Sequence, residues 1–310
     1  MKIMFMGTPE ISAICLKALV DYVHNVCAVV TGEDKPRGRK MILTPTATKQ
    51  TAEELGIPVY TPKTLRDGEF DKLLSEIAPD LIAVVAYGKI LPPSVINYPK
   101  YGCINLHVSL LPKYRGAAPM QRAIINGDKE TGVTVMYMNE GLDTGDIITT
   151  EKFPIGDEDD FEAIHDRSAE IGGPLLARTI TEIGEGRAKR TPQDNSLACY
   201  AAKIEKEDCK IDFTRSAEEL DCMIRGVTPI PGAFAYLGGK MLKINKATKT
   251  SGSGTPGEVI AVSGSGEGSF TVACGKDALL VRAVIPEGKG KMSAGDFVRG
   301  RKIDKGDILS

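Results

Sequence analysis

Between residues 103 and 119 the chain reads Cys-Ile-Asn-Leu-His-Val-Ser-Leu-Leu-Pro-Lys-Tyr-Arg-Gly-Ala-Ala-Pro, which sets an amide (Asn105), an imidazole (His107) and a hydroxyl (Ser109) at alternate positions. Such groups can donate to a developing oxyanion, and the imidazole can also move a proton. Their alternation with Ile104, Leu106 and Val108 has the period of a strand, so the polar set shares one face and the apolar set packs inward. Pro112 ends the ladder because it has no N–H to give. Gly116 and Pro119 then lead through a loop into a short helix over residues 120–125. A polar sheet edge would explain any one of these side chains. Three on one face, at a strand's carboxyl end, match the place where open α/β sheets bind ligands.

A second polar stretch follows the strand expected over residues 132–138. It reads Asn139-Glu140-Gly141-Leu142-Asp143-Thr144-Gly145-Asp146. Gly141 and Gly145 are expected to let the backbone turn tightly around Asp143. Alone, Asp143 reads as a cap for the turn. Beside a strand that carries a histidine, its carboxylate can orient the imidazole and stabilise the charged form.

The elements that must position these groups follow from patterning. Residues 3–6 read as a buried first strand. Thr8 is expected to cap the next helix, with Pro9 in its first turn and Glu10 at its positive end. Residues 26–30 make a second strand, and this strand–helix–strand opening indicates a doubly wound, mostly parallel α/β sheet. No Gly-x-Gly-x-x-Gly is present, which disfavours a dinucleotide. A helix over 47–55, a short strand near Val59 and a helix over 70–77 precede the apolar run 81–86, which fits a parallel strand covered on both faces. Tyr87 and Gly88 lie where that strand leaves the sheet. Residues 161–183 read as a long helix, broken or bent at Gly172-Gly173-Pro174. Beyond a linker, a helix over 218–224 and short strands at 233–236, 241–247, 257–261, 270–273 and 279–283 suggest a small barrel. The domain reading is 1–188, 189–207 as linker, and 208–310.

With 310 residues and 42% hydrophobic composition, the chain can bury two cores. Its net charge of −2 hides an asymmetry: residues 240–305 hold 12 Lys/Arg against 6 Asp/Glu, a net of +6, and the remainder carries −8. A basic part of this kind suits an anionic partner. Lys35, Arg37, Arg39 and Lys40 form a second basic cluster, either a solvated mobile loop or a phosphate-contacting one. Seven cysteines without a Cys-x-x-Cys pair read as reduced thiols, and neither they nor the three histidines have metal spacing. No run approaches the ~20 apolar residues of a membrane span, and the apolar start is too short for a signal peptide. A cytoplasmic protein is expected.

Asn105, His107 and Asp143, joined by Ser109-Leu110-Leu111-Pro112 and extended by Lys113-Tyr114-Arg115-Gly116-Ala117-Ala118-Pro119 and Gly141-Leu142-Asp143-Thr144-Gly145, resemble the signature of the folate-dependent formyltransferases. The resemblance covers nearly the whole chain. It departs at Val108, where relatives often have a small residue and where a packing change is expected. It implies a formyltransferase-type, Rossmann-like domain followed by an OB-like tRNA-binding barrel. It also implies 10-formyltetrahydrofolate as formyl donor, initiator methionyl-tRNA as acceptor, no metal, and a monomer. Asn105, His107 and Asp143 become the catalytic set, with Asn105 and His107 as oxyanion donors. Ser109, Leu110, Leu111, Pro112, Tyr87 and Gly88 become the folate site. Lys35, Arg37, Arg39 and Lys40 become contacts to the acceptor stem, and Lys243 and Lys246 contacts to the tRNA backbone. Hydrolysis of the donor, or formylation of a small amine, would use the same catalytic set.

Overall fold

The computed structural model describes residues 1–38 and 41–310, with Arg37 described through its backbone. One compact unit comprises residues 1–119, 130–153 and 165–201; the other comprises 120–129, 154–164 and 202–310. The chain therefore changes unit at residue 201/202, and two short segments from its first half belong to the second unit.

In order, the first half runs β1 (Ile3–Gly7), α1 (Glu10–Asp21), β2 (Val26–Val30), β3 (Lys35–Arg37), β4 (Ile42–Thr44), α2 (Ala47–Glu54), β5 (Val59–Tyr60), α3 (Gly68–Ile77) and β6 (Leu81–Val85). It continues through α4 (Pro93–Ile96), β7 (Cys103–His107), β8 (Arg115–Gly116), α5 (Pro119–Ile125), β9 (Glu130–Tyr137), β10 (Ile147–Pro154), α6 (Phe161–Gly184) and β11 (Tyr200–Ala201). Among the described residues, seven strands form one sheet in the order β10-β9-β7-β6-β1-β2-β5. All pairs from β7 to β5 are parallel, and β9 runs antiparallel to β7. Every residue of β1 and β6 is buried, as strands covered on both faces must be. Thr46 and Asp67 start α2 and α3 by accepting the N–H groups of Lys49 and Phe70.

Several expectations are corrected. Thr8 does not cap α1: Pro9 is the capping residue, and the Thr8 hydroxyl donates instead to the Tyr87 carbonyl at 3.0 Å. The basic stretch is not a plain loop, because β3 and β4 pair as an antiparallel hairpin. Helix α6 is unbroken through Gly172, Gly173 and Pro174. Those glycines give room for neighbours: a Cβ on Gly172 would lie 2.7 Å from Leu106, and one on Gly173 2.8 Å from Ala18.

The second unit adds α7 (Ala217–Val227), β12 (Ala233–Leu237), β13 (Lys240–Thr250), β14 (Val259–Ser263), β15 (Ser269–Ala273), β16 (Ala278–Pro286), β17 (Met292–Ser293) and α8 (Ala294–Arg299). Its strands pair antiparallel in the order β12-β13-β16-β15-β14, with β17 on β16. The last residues close this sheet: Leu309 bridges to Leu237 of β12, and Ile308 to Glu258 beside β14. Phe270, Leu220, Leu279 and Phe297 fill the interior. A capping box starts α7, in which Ser216 and Glu219 satisfy each other's backbone N–H groups. Among the described residues, no helix is long and apolar enough to cross a membrane.

Candidate active site

Strand β7 lies beside the buried β6 and stops at His107, two residues before the sequence pattern suggests. Asn105 and His107 do share a face of it. Ser109 does not: it sits in a bend, wholly buried, with its hydroxyl donating to the Lys113 carbonyl at 2.7 Å. Val108 lies in the same bend, partly exposed, so it is not part of the inward face. Thr134 of β9 stands opposite His107 and holds this bend from below. Its buried hydroxyl donates to the Ser109 carbonyl at 2.7 Å and accepts the Leu111 N–H at 3.2 Å. Leu111 is buried, whereas Leu110 and Pro112 remain partly exposed.

His107 is 6% exposed. Its Nε2 lies 2.9 Å from the Tyr114 carbonyl, and a carbonyl only accepts, so this nitrogen carries a proton. Nδ1 lies 3.7 Å from Asp143 Oδ2. Neutral, the ring offers a lone pair at Nδ1; protonated, it offers a second N–H beside a carboxylate. Nε2 is thus committed to Tyr114, and Nδ1, beside Asp143, is the nitrogen left for chemistry. The side chain of Asn105 makes no hydrogen bond to the described residues and is partly exposed, so its amide is available to a bound molecule.

Asp143 itself adopts the left-handed region, φ +52°, in place of the glycines expected to do so. Gly145 is needed for space: a Cβ there would lie 1.7 Å from the Tyr137 carbonyl oxygen. Asn139 braces the loop by accepting from the Gly141 N–H and the Thr144 hydroxyl. Asp143 Oδ2 also accepts the Gly116 N–H at 2.9 Å, tying this loop to β8. Gly116 has φ +118°, and a Cβ on it would meet Tyr200 at 2.6 Å.

The stretch read as a linker supplies much of the framework. β11 pairs with β8, the Tyr114 N–H donates to Cys199 Sγ at 3.2 Å, and Ile147 bridges to Thr191. Gln193 Oε1 accepts from Arg115 Nε at 3.0 Å and Nη2 at 2.7 Å. Its Nε2 donates to the carbonyls of Asp143 at 2.9 Å and Gly145 at 2.8 Å. Thr134 had a signal, a hydroxyl inside an apolar strand run. Gln193 had none, because its partners lie 48–78 residues away in sequence.

Other expected site residues fall elsewhere. Tyr87 is 4% exposed and packs in the core with Leu65, Phe70 and Leu91; burial pushes its phenol up to about 12. The Tyr87 ring is thus packed among core side chains, whereas Gly88 next to it is exposed. Lys35 is exposed on β3. The expectations on Arg39, Lys40 and the Arg37 side chain lie outside the described residues. Lys243 turns its ammonium onto the Pro231 carbonyl at 2.7 Å, and the exposed Lys246 lies 3.7 Å from Glu158.

Residues 1–180 match the family model described as formyl transferase, and residues 203–302 match that of the formyl transferase C-terminal domain. The chain is 44% identical over 309 residues to the methionyl-tRNA formyltransferase of Citrifermentans bemidjiense, spanning 100% of this chain and 96% of the relative. With the protein of the same name from Halalkalibacterium halodurans it shares 46% over 315 residues, spanning 100% and 98%. Its fold is similar to that of Aquifex aeolicus HypX in complex with tetrahydrofolic acid, at TM-score 0.66 and 19% identity, over 99% of this chain and 50% of that one.

Proposed function

The chain belongs to the formyl transferase family, and from that membership we propose that it transfers the formyl group of 10-formyltetrahydrofolate to the α-amino group of the methionyl moiety of initiator methionyl-tRNA. Full-length likeness to relatives named for methionyl-tRNA supports the acceptor. The observation that carries the chemistry is the free amide of Asn105, on the same strand face as a histidine whose remaining nitrogen lies 3.7 Å from a carboxylate.

The reaction joins the amine nitrogen to the formyl carbon and breaks that carbon's bond to N10 of the folate. The amine gives up one proton, and N10 takes one. A free α-amine has a pKa of about 8, so roughly a tenth is neutral at pH 7 and deprotonation is the smaller task. Charge on the formyl oxygen is the larger one. Asn105 donates its amide N–H to that oxygen, a contact of a kind whose loss costs ~2.7–4 kcal/mol. His107 Nδ1 accepts the amine proton, Asp143 stabilises the resulting imidazolium, and the same N–H then returns the proton to N10. The folate carries the reactive carbon, so these residues orient it and move protons.

The bend around Ser109, with Leu110, Leu111 and Pro112, and the exposed backbone at Gly88 border the folate. Lys35, Arg37, Arg39 and Lys40 contact the acceptor stem, while Lys246 and, once released from Pro231, Lys243 track phosphates in the C-terminal domain. The enzyme acts as a cytoplasmic monomer.

Transfer of labelled formyl from 10-formyltetrahydrofolate to charged initiator methionyl-tRNA tests this reading, with free methionine, elongator methionyl-tRNA and water alone in parallel. Label on the initiator alone is the expected result. Formate released in every tube would make the chain a hydrolase and refute the acceptor.

A further inference from the structure

Gln193 uses every hydrogen-bonding valence of its amide. Its two N–H groups go to the carbonyls of Asp143 and Gly145 at 2.9 and 2.8 Å, and its oxygen takes two N–H groups of Arg115 at 3.0 and 2.7 Å. Arg115 is followed by Gly116, whose N–H donates to Asp143 Oδ2. The contacts close a ring: Gln193 to the Asp143 backbone, Asp143 carboxylate to Gly116, Arg115 back to Gln193. Arg115 is further held by Asn195 Oδ1 at 2.8 Å.

This ring encloses a backbone conformation that needs outside support. A non-glycine residue at φ +52° is held against its own preference by its surroundings. At Asp143 that backbone conformation aims Oδ2 at both Gly116 and His107 Nδ1. Two carbonyls of the Asp143 loop are satisfied by one side chain, which fixes their relative orientation. We infer that Gln193 is a positioning residue for formyl transfer: it touches none of the reacting atoms and acts by holding the Asp143 carboxylate beside His107. The inference rests on the formyl-transfer reading and deepens it by assigning the residue that makes the Asp143 loop rigid.

Gln193→Glu is the discriminating change. A carboxylate keeps the contact to Arg115 and loses both donors, placing oxygen against two carbonyl oxygens. Gln193→Met, of similar length and without any hydrogen bond, serves if the charged variant folds poorly. Wild-type transfer of labelled formyl to charged initiator tRNA is measured first, and its failure would sink the formyl-transfer reading independently of Gln193. With an active wild type, loss of two neutral hydrogen bonds that act on the transition state lowers kcat by roughly tenfold to a hundredfold. KM for the formyl donor stays within about twofold, because uniform binding is untouched.

The decisive comparison repeats the substitution in an Asp143→Asn background, by single-turnover transfer at high enzyme concentration. If Gln193 acts through the Asp143 charge, the second change costs less than about threefold there, since coupled residues are not additive. An equal penalty in both backgrounds, or a loss confined to KM, would overturn the assignment and leave Gln193 as a general brace.

Discussion

Asn105 and His107 stand on the same strand face and yet are tied into the protein to opposite degrees. The imidazole is buried, with one nitrogen committed to Tyr114 and the other facing Asp143. The amide makes no hydrogen bond to the described residues. Asn105→Ala should therefore leave folding intact, shifting unfolding free energy by under ~0.5 kcal/mol, while lowering kcat by about 10²–10³ as expected for a lost oxyanion donor. Thermal unfolding alongside labelled-formyl transfer checks both halves; a large loss of stability would show the amide to be structural. His107→Ala should lose activity to at least the same degree, and it should also lose stability, because a buried ring and its hydrogen bond to the Tyr114 carbonyl are removed. The sequence alone distinguished these side chains from their neighbours by polarity and period. It could not tell which of the two was already engaged, because the partners of His107 come from residues 114 and 143.

At the scale of elements, the turn that follows β7 depends on its neighbour strand. Thr134→Val keeps the shape of the side chain and strands a buried carbonyl at Ser109 and a buried N–H at Leu111. Two unsatisfied groups cost about 2–6 kcal/mol together. Denaturant titration should find this loss; a loss under ~0.5 kcal/mol would mean that the bend is held without Thr134. A second element effect is pH-dependent. The Ser216 hydroxyl and N–H and the Arg215 guanidinium pull the Glu219 carboxyl from its ordinary 4.5 down to about 2. A folded-state value below the unfolded one gives stability that is present above pH 4.5 and is lost as pH falls from there towards 2. Glu219 is half exposed, so the effect is set by the capping box, at about 1 kcal/mol, and not by the full shift. Ser216→Ala should remove that amount at neutral pH and flatten acid unfolding between pH 4.5 and 2, a difference readable by circular dichroism. Sequence pattern alone located these helices and strands, including the apolar β6. It missed that α6 passes through Gly172-Gly173-Pro174 unbroken, because the reason those glycines are there lies in Leu106 and Ala18.

For the molecule as a whole, charge and closure matter most. The net +6 of residues 240–305 predicts that KM for charged tRNA climbs steeply between about 50 and 200 mM salt, while KM for the formyl donor barely moves. Equal salt sensitivity of both substrates would deny the basic part its role. The barrel is closed by the segment 307–310, where Leu309 is 2% exposed and donates its N–H to the Gly257 carbonyl, while Ser310 exchanges hydrogen bonds with Tyr236. Leu309→Ala should cost about 2–5 kcal/mol, through lost burial and a cavity at the seam. Scanning calorimetry would place that loss in the transition of the second unit.

From the sequence by itself came the family, the parallel α/β sheet with a small second domain, and the trio Asn105, His107 and Asp143. These are written in local terms: a period of two, a continuous apolar run, and side chains whose chemistry is intrinsic. Tertiary structure alone decided that Tyr87 is core, that Ser109 sits in a turn braced by Thr134 instead of lining the strand face, and that Asp143 carries the left-handed backbone. It also decided that the supposed linker residue Gln193 binds the Arg115 and Asp143 segments together. Each of those outcomes depends on hydrogen bonds and packing between residues far apart in the chain, which no local pattern records.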